Sequence, residues 1–135
     1  MSGGERRVAV TGIGCVTPIG EGAEGLWEGL RSRRSGVRRI TRFDASEFRS
    51  RVAAEVPGFD AAARLGEKRA RRLDRYGALS LASADMALED AGLDPDAPDP
   101  ERVAVQMGTA LGGIGFAEEQ HAAYMEDGVR GVNPM

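Results

Sequence analysis

Two glycine-rich stretches are the first candidates for chemistry, because glycine loops can cradle the phosphates of a nucleotide. They are VAVTGIGCVTPIG at residues 8–20 and ALGGIG at residues 110–115. A dinucleotide fingerprint needs G-x-G-x-x-G leading directly into a helix, and a P-loop needs a lysine. The first stretch has its third glycine out of place and Pro18 before it, the second continues with Phe-Ala-Glu, and neither has the lysine. The spacing therefore favours tight turns at strand ends over a nucleotide site.

Cys15 and His121 are the only cysteine and the only histidine, so they are the candidates for nucleophilic or metal chemistry. A nucleophilic thiolate needs a nearby base or a helix N-terminus. His121 lies far along the chain among Glu118, Glu119 and Gln120, and no converging metal ligands can be identified. We therefore expect Cys15 to act as a small hydrophobic residue, His121 to be a surface side chain, and the chain to hold no metal.

The segment EKRARRLDR carries basic side chains that could recognise an anion. They lie three, one and three residues apart and would share roughly one side of a helix: Lys68, Arg71, Arg72 and Arg75. A solvated helix face is the simplest interpretation. Nucleic acid is disfavoured, because aromatic residues make up only 5% of the chain and the net charge is −3. If these cations are functional, an acidic or phosphorylated partner fits them better.

Two short apolar runs predict buried strands that would position the glycine loops. They are RRVAVTGIG, which ends in the first glycine stretch, and VAVQMGT, which leads towards the second. Between residues 37 and 60 single apolar residues are separated by charges, which predicts loops with one or two short strands, the second near Val52–Val56. Strands and helices alternate along the chain, so the fold class is α/β.

Three helices are predicted around these strands. EGAEGLWEGLRSR is predicted to end at Gly36. Its apolar side would consist of Leu26, Trp27 and Leu30. A longer helix is predicted from Glu67 to Ala91, capped by Gly92 and rich in small residues that let other backbones come close. FAEEQHAAYMEDG predicts a last, acidic helix.

The composition is that of a globular protein and not of a disordered or membrane-spanning one. The 135 residues suit one domain, and 41% of them are hydrophobic. A single cysteine excludes an internal disulfide framework and fits a reducing compartment. MSGGERR lacks the apolar core of a secretory signal, and no run is long enough for a membrane span. These features predict a cytoplasmic protein.

Four stretches, taken in order, resemble the N-terminal portion of the β-ketoacyl-acyl-carrier-protein synthases, the elongating condensing enzymes, and most closely their synthase II type. The stretches are RRVAVTGIGCVTPIG, LWEGLRSRRSGVRRITRFDAS, RRLDRYGALSLASADMALEDAGL and GTALGGIGFAEEQH. The resemblance runs from about Arg6 to the last residue. Because all four stretches match in register, it is specific to that family.

The resemblance implies an α/β chain that is the incomplete N-terminal half of a thiolase-like α-β-α-β-α layered fold. Residues 1–5 would be a flexible N-terminus, and residues 6–135 a β-ketoacyl synthase N-terminal domain truncated before the nucleophile cysteine. In the family, an acyl chain held as a thioester on that cysteine condenses with malonyl-carrier protein in a decarboxylative Claisen reaction, assisted by two histidines. The expected position of all three residues is beyond residue 135.

The resemblance therefore implies no catalytic residue in this chain, which is expected to be inactive alone. Cys15 matches a first-strand position and His121 matches neither catalytic histidine. The carried-over docking residues for the acyl carrier protein are Lys68, Arg71, Arg72 and Arg130. Beside Arg130, Gly131 replaces a residue that is often basic. Leu111 matches an apolar residue that lines the acyl-chain pocket, and no resident cofactor is implied, because phosphopantetheine arrives on the carrier protein.

The implied partners are the acyl carrier protein and a second ketosynthase-type subunit, in a homodimer or a heterodimer, with no nucleic acid and no membrane. Whether the pathway makes fatty acids or polyketides stays open. An alternative is a chain-length-factor-like subunit, which shares this architecture but lacks the nucleophile. A free-standing interaction module is disfavoured, because half of a sheet system would leave apolar edges exposed.

Overall fold

The computed structural model describes residues 7–94 and 99–133, so the flexible N-terminus expected at residues 1–5 lies outside the described residues. The chain divides into two compact units. The first unit comprises Met1–Gly58 and Ser83–Arg102, and the second unit comprises Phe59–Ala82 and Val103–Met135. Helices and short antiparallel strand pairs form the described elements, in agreement with a mixed helix and strand class.

A tight hairpin begins the regular structure of the first unit. Strand β1 (Val16–Thr17) pairs antiparallel with β2 (Gly20–Glu21) across a two-residue turn. The Thr17 hydroxyl closes this turn, since its Oγ1 accepts a hydrogen bond from the Gly20 N–H at 3.1 Å and donates one to the Gly20 carbonyl at 2.7 Å. The Thr17 side chain thus supplies hydrogen bonds that so short a hairpin cannot form with its main chain alone.

Helix α1 (Gly22–Arg31) confirms the first predicted helix, but a different side of it is buried. Gly29 is buried, and a Cβ at this position would lie 2.5 Å from the Ile19 carbonyl oxygen. Trp27 and Leu30 are exposed. The helix therefore packs on the hairpin through a glycine, and the apolar side predicted from the sequence is largely uncovered.

The predicted end of α1 at Gly36 is wrong. The helix ends at Arg31, and Arg33 takes the left-handed conformation with φ +51°. The Arg33 N–H bonds to the Leu30 carbonyl at 3.0 Å and the Arg34 N–H bonds to the Gly29 carbonyl at 2.9 Å, which are the two bonds of a Schellman motif. Gly36 is instead a close-contact glycine, because a Cβ there would lie 2.5 Å from the Pro18 Cβ.

A second hairpin joins β3 (Arg38–Arg39) to β4 (Val52–Ala53), which confirms the short strand predicted near residue 52. Beyond its paired residues, the Glu55 carboxylate accepts hydrogen bonds from the Thr41 hydroxyl at 2.7 Å and from the N–H groups of Thr41 and Arg42. The Thr41 hydroxyl bond is the main cause that lowers the pKa of Glu55. The Glu55 carboxylate thus joins the segment that follows β4 to the main chain just after β3.

The prediction that two apolar runs form buried strands is wrong for the described residues. Residues 8–14 and 103–109 form no strand, and their side chains lie in solvent, with Val8 89%, Val10 82% and Val105 83% exposed. A buried strand needs neighbours on both edges and cover on both faces. The described pairings are two short hairpins, which offer neither to these runs.

Residues 8–14 lie instead against helix α4 (Arg75–Ala91), within the first unit. A Cβ at Gly12 or at Gly14 would overlap main-chain carbonyl oxygens of this helix. The Ile13 N–H between them donates to the Asp90 Oδ2 at 2.8 Å. Residues 11–15 form no turn, so the turn predicted at these two glycines is wrong, and both serve close approach. The prediction that small residues let other backbones reach α4 is confirmed.

The single helix predicted from Glu67 to Ala91 is wrong, because it is interrupted. Helix α2 (Ala61–Leu65) and helix α3 (Glu67–Ala70) precede α4. Asp74 causes the interruption: its Oδ1 accepts a hydrogen bond from the Tyr76 N–H at 3.0 Å, which is the bond of a helix N-cap. A capping carboxylate has therefore overridden a periodic apolar pattern that continues through it.

The other end of α4 and the last helix follow the predictions. Gly92 has φ +61°, and the Leu93 N–H bonds to the Leu88 carbonyl at 3.1 Å, as in a Schellman cap. The last helix, α5, spans Ile114–Asp127, and Gly128 follows it with φ +65°. Short 3₁₀ helices occupy Pro100–Arg102 and Gly128–Arg130.

We predict that Gly14→Ala lowers the free energy of unfolding by about 2 kcal/mol, because overpacking against a helix backbone has no flexible side chain to yield. Chemical denaturation of the protein measures it. Gly108→Ala is the matched control: a Cβ there meets nothing within 4 Å, so we expect a change under about 0.5 kcal/mol. Equal effects of the two substitutions would contradict the packing account.

We predict that Glu55→Gln weakens the second hairpin at neutral pH and has less effect in acid. The lowered pKa means that the carboxylate contributes fully above its unfolded pKa and loses that contribution as pH falls through the folded pKa. Hydrogen exchange of the Thr41 and Arg42 amides against pH measures this. Glu47→Gln, on the exposed surface of the same unit, is the control. A pH-independent difference between wild type and Glu55→Gln would contradict it.

Candidate functional site

The predicted docking cations Lys68, Arg71 and Arg72, here called the basic cluster, lie on α3 and the turn that follows it. Lys68 lies within the helix, Arg71 is its C-cap and Arg72 belongs to the turn. All three side chains are exposed. Because α3 stops at Ala70, the cluster does not form the start of one long helix face as the sequence predicted.

A short, capped scaffold positions the basic cluster. The Asp60 Oδ1 caps α2 by accepting from the Ala62 and Ala63 N–H groups at 2.9 and 3.1 Å. Leu65 at the end of α2 is buried, which anchors this segment in the second unit. Gly66 then turns the chain with φ +83° directly into α3. The cations thus follow an anchored residue by only a few positions.

Most of the positive charge of the basic cluster is available to a partner. Arg71 contacts Glu67 at 3.2 Å, but the two side chains are 79% and 76% exposed, so solvent screens the pair and it contributes under about 1 kcal/mol. Across residues 7–94 and 99–133, neither Lys68 nor Arg72 forms an ion pair. An approaching anion would therefore meet cations that are weakly neutralised or not neutralised.

Arg75 does not belong with the other three cations, although the spacing predicted that it would. It is half-buried, and its guanidinium carbon lies 5.7 Å from the centre of the Phe59 ring. A cation over an aromatic face at this distance is attracted to the ring. Arg75 therefore has a packing role in the second unit, and the docking prediction rests on its neighbours.

Arg130 ends the 3₁₀ helix after α5 and is exposed. The structure explains why its neighbour is a glycine and not a basic residue. A Cβ at Gly131 would lie 2.6 Å from the Ala123 carbonyl oxygen and 2.9 Å from the Asp127 Cβ. Close packing of this turn on α5 excludes a side chain, so Arg130 is the cation that this turn offers.

Leu111 lies in the loop of residues 109–113 and is 75% exposed. Gly112 has φ +60°, and its N–H donates to the Thr109 Oγ1 at 2.9 Å, which closes the loop on itself. Directly after the loop, the Phe116 N–H donates to the Asp74 Oδ2 at 2.9 Å. Leu111, the predicted acyl-pocket side chain, is thus exposed on a loop that hydrogen bonds fix both at its turn and at its exit.

The second unit contains all five predicted site residues, but the importance of Asp74 was missed by the sequence analysis. The signal was present: aspartate is a preferred N-cap residue, and it interrupts the helical run in RRLDRYG. Only the structure reveals its second bond, because that bond joins residues 42 apart.

The residues with nucleophilic or metal-binding chemistry are dispersed. Cys15 is half-buried, and its thiol donates to the Gly22 carbonyl at 3.2 Å. His121 is exposed on α5. Among the described residues, no three histidine, cysteine, aspartate or glutamate side chains come together in a way that could hold a metal ion. Within the same residues, none of the helices has the length and apolar character needed to cross a membrane.

The chain is similar to known condensing enzymes in sequence and in structure. It is 39% identical to 3-oxoacyl-[acyl-carrier-protein] synthase 2 of Coxiella burnetii over 96% of its own length, and 39% identical over 93% to the tetracenomycin polyketide synthase ketoacyl synthase alpha subunit of Streptomyces glaucescens. It spans 31% and 30% of those proteins, about a third.

Among solved structures, the ishigamide ketosynthase/chain length factor superposes with a TM-score of 0.85 at 33% identity, covering 97% of this chain and 33% of that chain. The fold expected from the resemblance, the N-terminal part of a ketosynthase fold, is therefore confirmed. Residues 5–135 match the family described as "Beta-ketoacyl synthase, N-terminal domain". Because this match covers nearly the whole chain, the protein belongs to the β-ketoacyl synthase family, of which it carries the N-terminal domain.

Proposed function

We propose that this chain is the N-terminal part of a 3-oxoacyl-acyl-carrier-protein synthase, an acyltransferase. The full-length protein would condense an acyl thioester with malonyl-carrier protein, with loss of carbon dioxide, in fatty acid or polyketide biosynthesis. The observation that carries the proposal is the family match over residues 5–135, supported by relatives named for both pathways. We place the protein in the cytoplasm.

In this proposal the chain binds and positions substrates and does no bond chemistry itself. Its basic cluster and Arg130 would receive the acidic carrier protein, which brings phosphopantetheine with it. Exposed cations suit this task, because they raise the encounter rate with an acidic partner and fix its orientation. Leu111 would present an apolar wall to the acyl chain, where burial contributes about 0.8 kcal/mol per methylene.

A second candidate is a chain-length-factor-like subunit that lacks the nucleophile. The observation in its favour is the similarity to the ishigamide ketosynthase/chain length factor, whose name joins the two kinds of subunit. The same similarity supports a partnership with another ketosynthase-type subunit, in a homodimer or a heterodimer. The two candidates differ in one property, the presence of a reactive cysteine at the nucleophile position of the full-length protein.

We predict that residues 1–135 alone turn over neither malonyl-carrier protein nor an acyl thioester, because the nucleophile and both histidines lie outside them. Release of carbon dioxide and formation of the 3-oxoacyl product are the two measurements. The full-length protein, assayed in parallel, is the positive control. Clear turnover by the 135-residue chain would contradict the assignment of its residues to binding and positioning alone.

We predict that replacing Lys68, Arg71 and Arg72 together with glutamate weakens carrier-protein binding by the full-length protein at least tenfold at low salt. The loss should shrink as salt screens the charges. Titration of acyl carrier protein at two ionic strengths measures both effects.

The matched control reverses three exposed arginines of the first unit, Arg31, Arg39 and Arg49, which changes the net charge equally. Arg31 also has a solvent-screened partner, Glu28 at 3.1 Å, as Arg71 has Glu67. A loss of affinity as large in this control would show that only net charge matters and would remove the basic cluster from the docking surface.

A further inference from the structure

Asp74 joins the first turns of two helices that are far apart in sequence. Its Oδ1 accepts from the Tyr76 N–H of α4 at 3.0 Å, and its Oδ2 accepts from the Phe116 N–H of α5 at 2.9 Å. Both helices begin in the second unit. A carboxylate is favoured at each of these positions, because unpaired N–H groups and the helix dipole make an N-terminus electropositive.

Helix α5 cannot cap itself. Its N-cap residue is Gly113, which has no side chain, and Phe116 occupies the third helical position, whose N–H an N-cap side chain normally satisfies. Asp74 supplies this bond from outside the helix. The carboxylate also lies against the loop backbone, because a Cβ at Gly113 or Gly115 would be 3.4 Å from its Oδ2.

The loop that carries Leu111 ends at this cap. Its own closure is a single bond, from the Gly112 N–H to the Thr109 Oγ1. The residues before it, 103–108, form no strand pair in the described part of the chain. The bond from Phe116 to Asp74 is a long-range hydrogen bond that fixes the exit of this loop.

We propose that Asp74 is a positioning residue for the acyl chain: by capping α5 from α4, it fixes the loop of residues 109–113 and the direction of Leu111. This rests on the proposed function, in which Leu111 lines the acyl pocket. Asp74 also ends the turn that carries Arg72. One carboxylate therefore sets both the start of α4, beside the basic cluster, and the wall met by the substrate tail.

The test uses Asp74→Asn and Asp74→Ala in the full-length protein. The asparagine has one acceptor oxygen and can keep one of the two bonds, whereas the alanine keeps neither. Asp60→Asn is the matched control, because Asp60 also caps a helix of the second unit but bonds only within its own segment. Hydrogen exchange at the Phe116 amide reports the cap, and condensation with acyl-carrier substrates of increasing length reports the pocket.

We expect Asp74→Ala to speed exchange at Phe116 at least tenfold and to flatten the dependence of KM on acyl length several-fold. Asp74→Asn should lie between wild type and alanine, and Asp60→Asn should match wild type. If Asp74→Ala does not fold, Asp74→Asn decides by the same readouts.

Unchanged exchange at Phe116, or faster exchange with an unchanged acyl-length profile, would overturn the inference. An equal flattening by Asp60→Asn would also overturn it, because it would indicate a general loss of stability. The exchange readout needs no activity. A wild-type protein without condensing activity would therefore overturn the proposed function, whereas wild-type exchange in the Asp74 variants would overturn the positioning role.

Discussion

The approach of a glycine segment to the backbone of α4 is the contact on which the first unit depends. Gly12 and Gly14 leave no room for a Cβ against this helix, and the Ile13 N–H is held by Asp90. The close approach of the two backbones requires both small side chains on α4 and glycines on the segment. Any added atom on either side forces backbones apart, which densely packed interiors do not tolerate well.

The start of α4 sets the arrangement of the second unit. Had the helix continued back to Glu67, the basic cluster would lie along one rigid face and the first turn of α5 would lose its cap. Asp74 stops the helix instead and satisfies both N-termini. The position of this carboxylate therefore determines where the basic cluster lies and how the Leu111 loop ends. In the proposed function, both carrier-protein binding and acyl-chain binding therefore depend on Asp74.

Helix ends with strong terminal signals and the short strand near residue 52 were predictable from sequence, whereas the two buried strands expected from the apolar runs do not form in the described residues. Gly92 ends α4 as its sequence context indicates, because the left-handed cap is a local property. The apolar runs at residues 8–14 and 103–109 have strand composition, but pairing depends on neighbours that the described residues do not provide. In the proposed function, these exposed valines would be covered in the full-length protein, since the relatives are about three times longer than this chain.

The wrong predictions of turns and helix ends have one physical cause: the same residue type can serve different structural roles. Gly12, Gly14 and Gly36 suggested turns or a helix end, but each serves close approach. Arg33 takes a left-handed position that composition alone assigns to glycine. The site residues came from the family resemblance, because an exposed cation or leucine carries no local signal of its partner. The role of Asp74 required the fold, since its second bond spans 42 residues.

The central claim, that this chain positions substrate for a nucleophile located elsewhere in a synthase, is tested most directly by trapping the acyl-enzyme. The full-length protein would be incubated with an acyl thioester, without malonyl-carrier protein, and the acylated residue located by mass spectrometry. The account predicts acylation of one cysteine outside residues 1–135, with Cys15 unmodified. Acylation of Cys15, or of no cysteine at all, would contradict it.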